Sequence, residues 1–239
     1  MRTSFLNIIG AGIIMASATM VRGDNLYIAS TTDTGTSLMF PNNQELGQEI
    51  WLGTAAPEWL TNLSIEYYSP AGLSFNGNVM VDVAIYANSG PKYSGYKSPG
   101  VVLYNSGMIP LLTPFLLTGG NVATLDLTRA DFLTPPGTGP LAQAMLPTQL
   151  LPQYLTIGIT FSGLGAGDSV GIENFNYPTV GGNFGDYWFN TGSGWQLLTN
   201  ATPTSFGMQL MGATPEPTVF AMGALGAVMI AGFIRRRRN

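Results

Sequence analysis

The chain contains no cysteine and no histidine. Without cysteine there is no disulfide, no thiolate metal site and no thiol nucleophile. Without histidine the commonest general base and the commonest transition-metal ligand are missing. Ser-His-Asp triads and His-ligated zinc sites are therefore excluded. Charge is scarce as well. Asp, Glu, Lys and Arg make up 9% of the 239 residues, against roughly 25% in ordinary soluble domains. Scarce charge does not imply disorder here, because 45% of the residues are hydrophobic and that fraction sustains a core.

The few charges are unevenly placed. The basic residues are Arg2, Arg22, Lys92, Lys97, Arg129 and Arg235 to Arg238. Between Asp24 and Thr214 three basic residues stand against twelve acidic ones, a net charge of −9. An acidic body repels phosphate backbones, which argues against nucleic acid as a partner.

Glycine, by contrast, is abundant at 31 residues, and proline stands at 16. Thr, Ser, Asn, Val, Ile and aromatics fill much of the rest, the profile of a β-rich extracellular protein with many turns. Period-two alternation marks the strands. In "NVMVDVAIYA" Val79, Val81, Val83 and Ile85 share one face, and Met80, Asp82, Ala84 and Tyr86 share the other. "YLTIGITFSG" alternates likewise through Leu155, Ile157, Ile159 and Phe161, and "LSIEYYS" through Leu63, Ile65 and Tyr67. Shorter candidates are "QEIWLG", "GVVLYNSG", "VATLDLT", "DSVGIE", "DYWFN", "WQLLT" and "SFGMQLMG". Gly-rich turns separate them. Roughly ten short strands of this kind predict an all-β fold, an antiparallel β-sandwich that is jelly-roll-like. The Pro-rich stretch from Asp131 to Tyr154 breaks the rhythm and reads as a long packed loop, with a short helix near Leu141 to Met145.

The two ends have a different logic. Residues 1–23 run from an early cation, Arg2, through an apolar stretch beginning at Phe5, to small residues near Ala18. That order is the pattern of a secretory signal peptide, with cleavage after Ala18 or after Gly23. The body would then span 24–213. In the final segment, 214–239, Thr218 to Ile234 carries no charge. As a helix it would extend roughly 25 Å, the short limit for a transmembrane helix. Gly223, Ala227 and Ala231 form a small-residue face that permits close helix packing. Arg235, Arg236, Arg237 and Arg238 would halt translocation and hold that end in the cytoplasm.

Pro215-Glu216-Pro217, the apolar stretch and the terminal arginines, taken together with the N-terminal signal, resemble the PEP-CTERM sorting signal of Gram-negative bacteria. The resemblance covers about 25 residues and implies nothing about the fold of the body. It implies that exosortase, an intramembrane transpeptidase, is a partner and that the chain is cut near Pro215, Glu216 and Pro217. It also implies transient anchoring in the membrane through the C-terminal helix, then display at the cell surface or in an extracellular matrix often rich in exopolysaccharide. "FGDYWFNTGSGWQLL" is similar to the closing hairpin of many bodies in that family. "VDVAIYANSGPKYSGYKSPGVVLYNSG" resembles a recurrent unit of bacterial secreted β-sandwiches.

Within the body the chemistry is sparse. Glycosidases need two carboxylates facing each other across a substrate. Glu45 with Glu49, Asp126 with Asp131, and Asp168 with Glu173 are pairs in sequence, but solvated surface is the ordinary home of such residues. No catalytic residue is expected and no enzyme activity. Trp188 and Trp195 flank the turn "NTGSG", and Tyr93 and Tyr96 lie in "PKYSGYKSPG". Each is a possible carbohydrate-binding platform. The plainer reading is that the tryptophans fill the space between the sheets, since aromatics bury large areas. No cofactor is expected. Calcium is the one metal considered, through Asp168, Asp186 and Asn88, although none belongs to a complete calcium loop. The expected function is that of an exported structural or interaction protein. The alternatives are a carbohydrate-binding module of an exopolysaccharide matrix and a polysaccharide hydrolase.

Overall fold

The computed structural model of the chain describes residues 24–30, 32–54, 59–70, 72, 75–111, 121–128, 150–190, 192–199 and 205–213. The expected signal peptide, the sorting motif, the terminal arginines and the short helix near Leu141 lie outside them. Among the described residues there is no helix, and hence none long and apolar enough to cross a membrane.

The fold is all-β and antiparallel. A seven-stranded sheet contains β1 (Asp24–Ile28), β2 (Asp33–Met39), β4 (Trp59–Tyr68), β10 (Val122–Thr128), β12 (Gly171–Phe175), β16 (Ser205–Phe206) and β17 (Met208–Ala213). An eight-stranded sheet contains β3 (Glu45–Trp51), β5 (Met80–Ala87), β8 (Val102–Asn105), β9 (Ile109–Pro110), β11 (Tyr154–Ser162), β13 (Gly182–Asn183), β14 (Tyr187–Asn190) and β15 (Trp195–Leu198). A separate ribbon pairs β6 (Lys92–Tyr93) with β7 (Tyr96–Lys97).

The alternation read in the sequence is the alternation that packs. Val81, Val83 and Ile85 of β5 are buried, as are Leu155, Ile157, Ile159 and Phe161 of β11. They meet Leu63, Ile65 and Tyr67 of β4 and Leu210 of β17 in one core shared by both sheets. Burying such a Leu, Ile or Phe side chain stabilises the fold by about 1.5–3 kcal/mol. Aromatic rings lock part of this core, with Phe40 and Phe161 edge-to-face at 5.0 Å. One buried polar side chain crosses it. Gln48 of β3 accepts a hydrogen bond from the Phe206 amide of the other sheet at 2.7 Å.

The long strands switch sheets as the chain advances, from β3 to β4 to β5, and from β10 to β11 to β12. Each switch leaves the opposite side of a strand facing outward, so polar residues at alternate positions collect on two outer faces. On the eight-stranded sheet that face is where the candidate site lies.

Candidate functional site

Three rows of side chains cross the outer face of the eight-stranded sheet, set by its register. One row runs Trp188, Gly47, Gly158, Ala84. A second runs Asn190, Glu45, Thr160, Asp82, and a third Glu49, Thr156, Tyr86. Facing residues in antiparallel pairs lie about 4.5–5.5 Å apart at Cβ, so neighbours within each row touch, and long side chains reach across to the next row. The middle of the first row is nearly bare of side chains, and larger neighbours fold over it. Trp195 packs edge-to-face on Tyr86 at 5.3 Å, and its ring lies 3.2 Å from the place a Cβ of Gly47 would occupy.

Glu45 is tied down on this face. Tyr86 Oη donates to its Oε1 at 2.8 Å, and Asn190 Nδ2 donates to Oε2 at 3.2 Å. Burial still pushes its pKa up, against the pull of those two bonds. Burial and the neighbouring Glu45 carboxylate together raise the Tyr86 phenol. At the far end of β5, Asp82 accepts from Asn105 Nδ2 at 3.1 Å and from Ser106 Oγ at 3.3 Å.

Glu49 is in a different situation. It is 6% exposed. Asn88 Nδ2 donates to its Oε1 at 2.8 Å, and Thr156 Oγ1 donates to Asn88 Oδ1 at 2.7 Å. The Trp188 indole lies close enough to favour the charged carboxylate, yet neither its Nε1 nor Glu49 Oε2 closes a hydrogen bond of normal geometry. Burial outweighs both neighbours and pushes the Glu49 carboxyl up to about 7.

Glu49 lines a cavity of about 660 Å³ together with Asn88, Lys92, Tyr96, Lys97, Tyr154 and Phe184. The ribbon β6–β7 forms one wall. Its turn, Ser94-Gly95, has positive φ at both residues, 50° and 93°. Such a two-residue turn matches the twist of the flanking strands, and glycine adopts it without strain. The register sets Lys92 opposite Lys97 and Tyr93 opposite Tyr96. Tyr93 then packs on Trp188 at 5.8 Å and Tyr96 on Phe184 at 5.0 Å, both edge-to-face. Tyr154 stands at the rim, 50% exposed.

The four aromatics singled out from the sequence therefore gather on one face. They play unequal parts. Trp188 is fully buried, and it lies beneath Tyr93 rather than in the core between the sheets. Trp195 and Tyr96 are half-buried, and Tyr93 is 44% exposed. The cavity also uses Glu49, Asn88, Tyr154 and Phe184, which sequence reading did not bring together as a binding site. Only the Thr156–Asn88–Glu49 chain of hydrogen bonds reveals that group, and it joins three strand regions remote in sequence.

The carboxylate pairs fare differently. Glu45 and Glu49 do share a face, but four residues along one strand separate their backbones by about 13 Å. Asp131 lies outside the described residues. Asp168 and Glu173 diverge. Asp168 accepts from the amides of Asn76, Gly77 and Gly165, each at 2.8 Å, and these bonds pull its pKa down. Glu173 instead joins Glu66 and Asp33 in a groove of about 650 Å³ on the other sheet. Burial there raises the pKa of both glutamates, helped by the charge of Asp33. Of the oxygens weighed for calcium, those of Asp168 and Asn88 lie near opposite ends of β5. Asp168 holds the loop before β5, and Asn88 follows the far end of that strand.

No family model matches the chain, and no curated protein or solved structure matches it.

Proposed function

We propose that the protein is an exported, non-catalytic surface or matrix protein whose body binds a saccharide in the cavity beside β6–β7. The observation that carries this reading is the meeting of half-exposed rings, Tyr96 and Tyr154, with a fixed carboxyl–amide pair, Glu49 and Asn88. Sugar rings present apolar faces and a rim of hydroxyls. Aromatic faces stack on the first, and side chains with both donors and acceptors orient the second. The wide spacing of Glu45 and Glu49 speaks for binding over glycoside cleavage.

The address rests on the two ends. The signal-peptide pattern of residues 1–23 supports export. The likeness of Pro215, Glu216, Pro217 and Arg235 to Arg238 to a PEP-CTERM signal supports exosortase as the sorting partner. An exopolysaccharide matrix is then the setting in which a sugar-binding body would operate. The repeated switching of strands between sheets supports reading the fold as a jelly-roll-like sandwich.

Two measurements test this. The first is the mass of the mature protein recovered from its own cells. Loss of the first 18 to 23 residues and of everything after the Pro215-Glu216-Pro217 region is expected. Retention of both ends would defeat the proposed address. The second is affinity electrophoresis through gels containing soluble polysaccharides. Retardation is expected, and Tyr154→Ala or Tyr96→Ala should weaken it about tenfold, near 1.4 kcal/mol, with the thermal midpoint unchanged in Tyr154→Ala, whose ring stands at the rim. Equal retardation of both variants would remove the cavity from the site.

A further inference from the structure

The body has few cations, and two of its three line this one cavity. Lys92 and Lys97 face each other directly across the ribbon. Like charges directly opposite one another on a sheet repel and destabilise the pair. A carboxylate between them would relieve that repulsion, and the body carries twelve acidic residues. Yet among the described residues Glu49 is the only acid lining the cavity, and it is bonded to Asn88. Burial favours its neutral form below about pH 7, so it neither neutralises the lysines there nor opposes an incoming anion. Of the other described acids, three lie around the groove of the other sheet, and Glu45 and Asp82 lie further along the cavity's own face, held by hydrogen bonds to neighbouring side chains. The charge pattern is thus polarised, with a cationic cavity on an anionic body.

Resting on the saccharide reading above, we infer that the ligand is an acidic glycan, a polymer of carboxylated sugars. Lys92 and Lys97 would hold the sugar carboxylate, and Tyr96 and Tyr154 the ring. Lysine ammonium groups suit this task, as compact charges with three donors each. A neutral glycan would leave the opposed lysines uncompensated. The net-negative body repels an acidic polymer at long range while the two lysines attract it here, which favours a single binding register along the strand.

The test is affinity electrophoresis of the mature protein through gels containing alginate, polygalacturonate or hyaluronate. Their methyl-esterified forms serve as controls, because they keep the sugar and remove the charge. The expected result is retardation by an acidic polymer, at least tenfold weaker binding to its ester, and a comparable loss in Lys92→Ala/Lys97→Ala. Added salt should weaken binding too. Equal binding to acid and ester, with the double variant unaffected, would overturn the charge assignment and leave the saccharide reading standing. Binding to none of the six polymers would overturn both. Competition by inorganic phosphate or sulfate at the same concentration as free uronate would show a general anion site and overturn the sugar part. Lys92 and Lys97 lie on an exposed two-stranded ribbon, so a matching thermal midpoint for the double variant separates lost contact from lost fold.

Discussion

In the folded protein burial lifts the Glu49 carboxyl from an ordinary 4.5 to about 7. Between those values the native state holds the proton more tightly than the unfolded chain. Stability contributed by Glu49 is therefore complete below about pH 4.5 and lost as pH rises to about 7. At 1.36 kcal/mol per unit, the loss is at most about 3–4 kcal/mol. Glu45, Glu66 and Glu173 are shifted in the same direction and deepen the fall. Thermal unfolding scanned from pH 4.5 to 7.5 should show a declining midpoint. Glu49→Gln, which keeps an acceptor for Asn88, should flatten part of that decline. A midpoint in that variant that still follows the wild-type slope would refute the account. Gly158 offers a second residue-scale check. A Cβ there would overlap Glu45 Oε1 and crowd Tyr86. Gly158→Ala should break the Tyr86–Glu45 bond and destabilise the protein by about 1–3 kcal/mol, as overpacking does. Denaturant titration measures it.

Two elements are tied to their neighbours by single polar side chains or small sets of them. The turn Gly165 to Asp168 is joined to the residues before β5 by the Asn76 and Gly77 amides that Asp168 accepts. Asn76 Nδ2 also donates to the Ala166 carbonyl at 3.3 Å, while the Gly165 amide closes the turn on itself. Asp168→Ala should leave the global unfolding transition in place and speed hydrogen exchange at Asn76, Gly77 and Gly165. Unchanged exchange at those amides would show that the loop is held without Asp168. Strand β3 packs on the opposite sheet through Leu46 and Ile50 and is hydrogen-bonded to it by Gln48. Gln48→Leu fits the apolar surroundings but orphans the Phe206 amide, at a cost of about 1–3 kcal/mol. A neutral effect would mean that β16 finds another partner. At this scale the sequence was readable where period-two alternation was clean, as in β5 and β11. It was unreadable in β2, "DTGTSLM", which is polar at nearly every position and half-exposed or more. It also gave no sign that β6 and β7 pair, since two residues per strand carry no periodicity. There the positive-φ turn decides the structure, and Ser-Gly is a weaker written signal than Asn-Gly.

For the whole molecule, the all-β class and much of the buried face followed from composition and alternation. The candidate site did not. Trp188, Tyr93 and Tyr96 were visible as aromatics, but which of them are covered depends on the ribbon folding back over β14. Glu49 was visible as half of a carboxylate pair. Its burial depends on Asn88 and Thr156, brought beside it by the pairing of β11 with both β3 and β5. Residues joined by sheet register at such separations leave no local trace in a single sequence.

The first and last described strands are neighbours. Asp24 of β1 pairs with Gly212 of β17, and β17 lies between β1 and β4. Traction between residues 24 and 213 therefore pulls the β1–β17 pair apart from its open end, like a zip, one bond at a time. The body should be weak along that axis, and single-molecule pulling between those two positions should give a low rupture force.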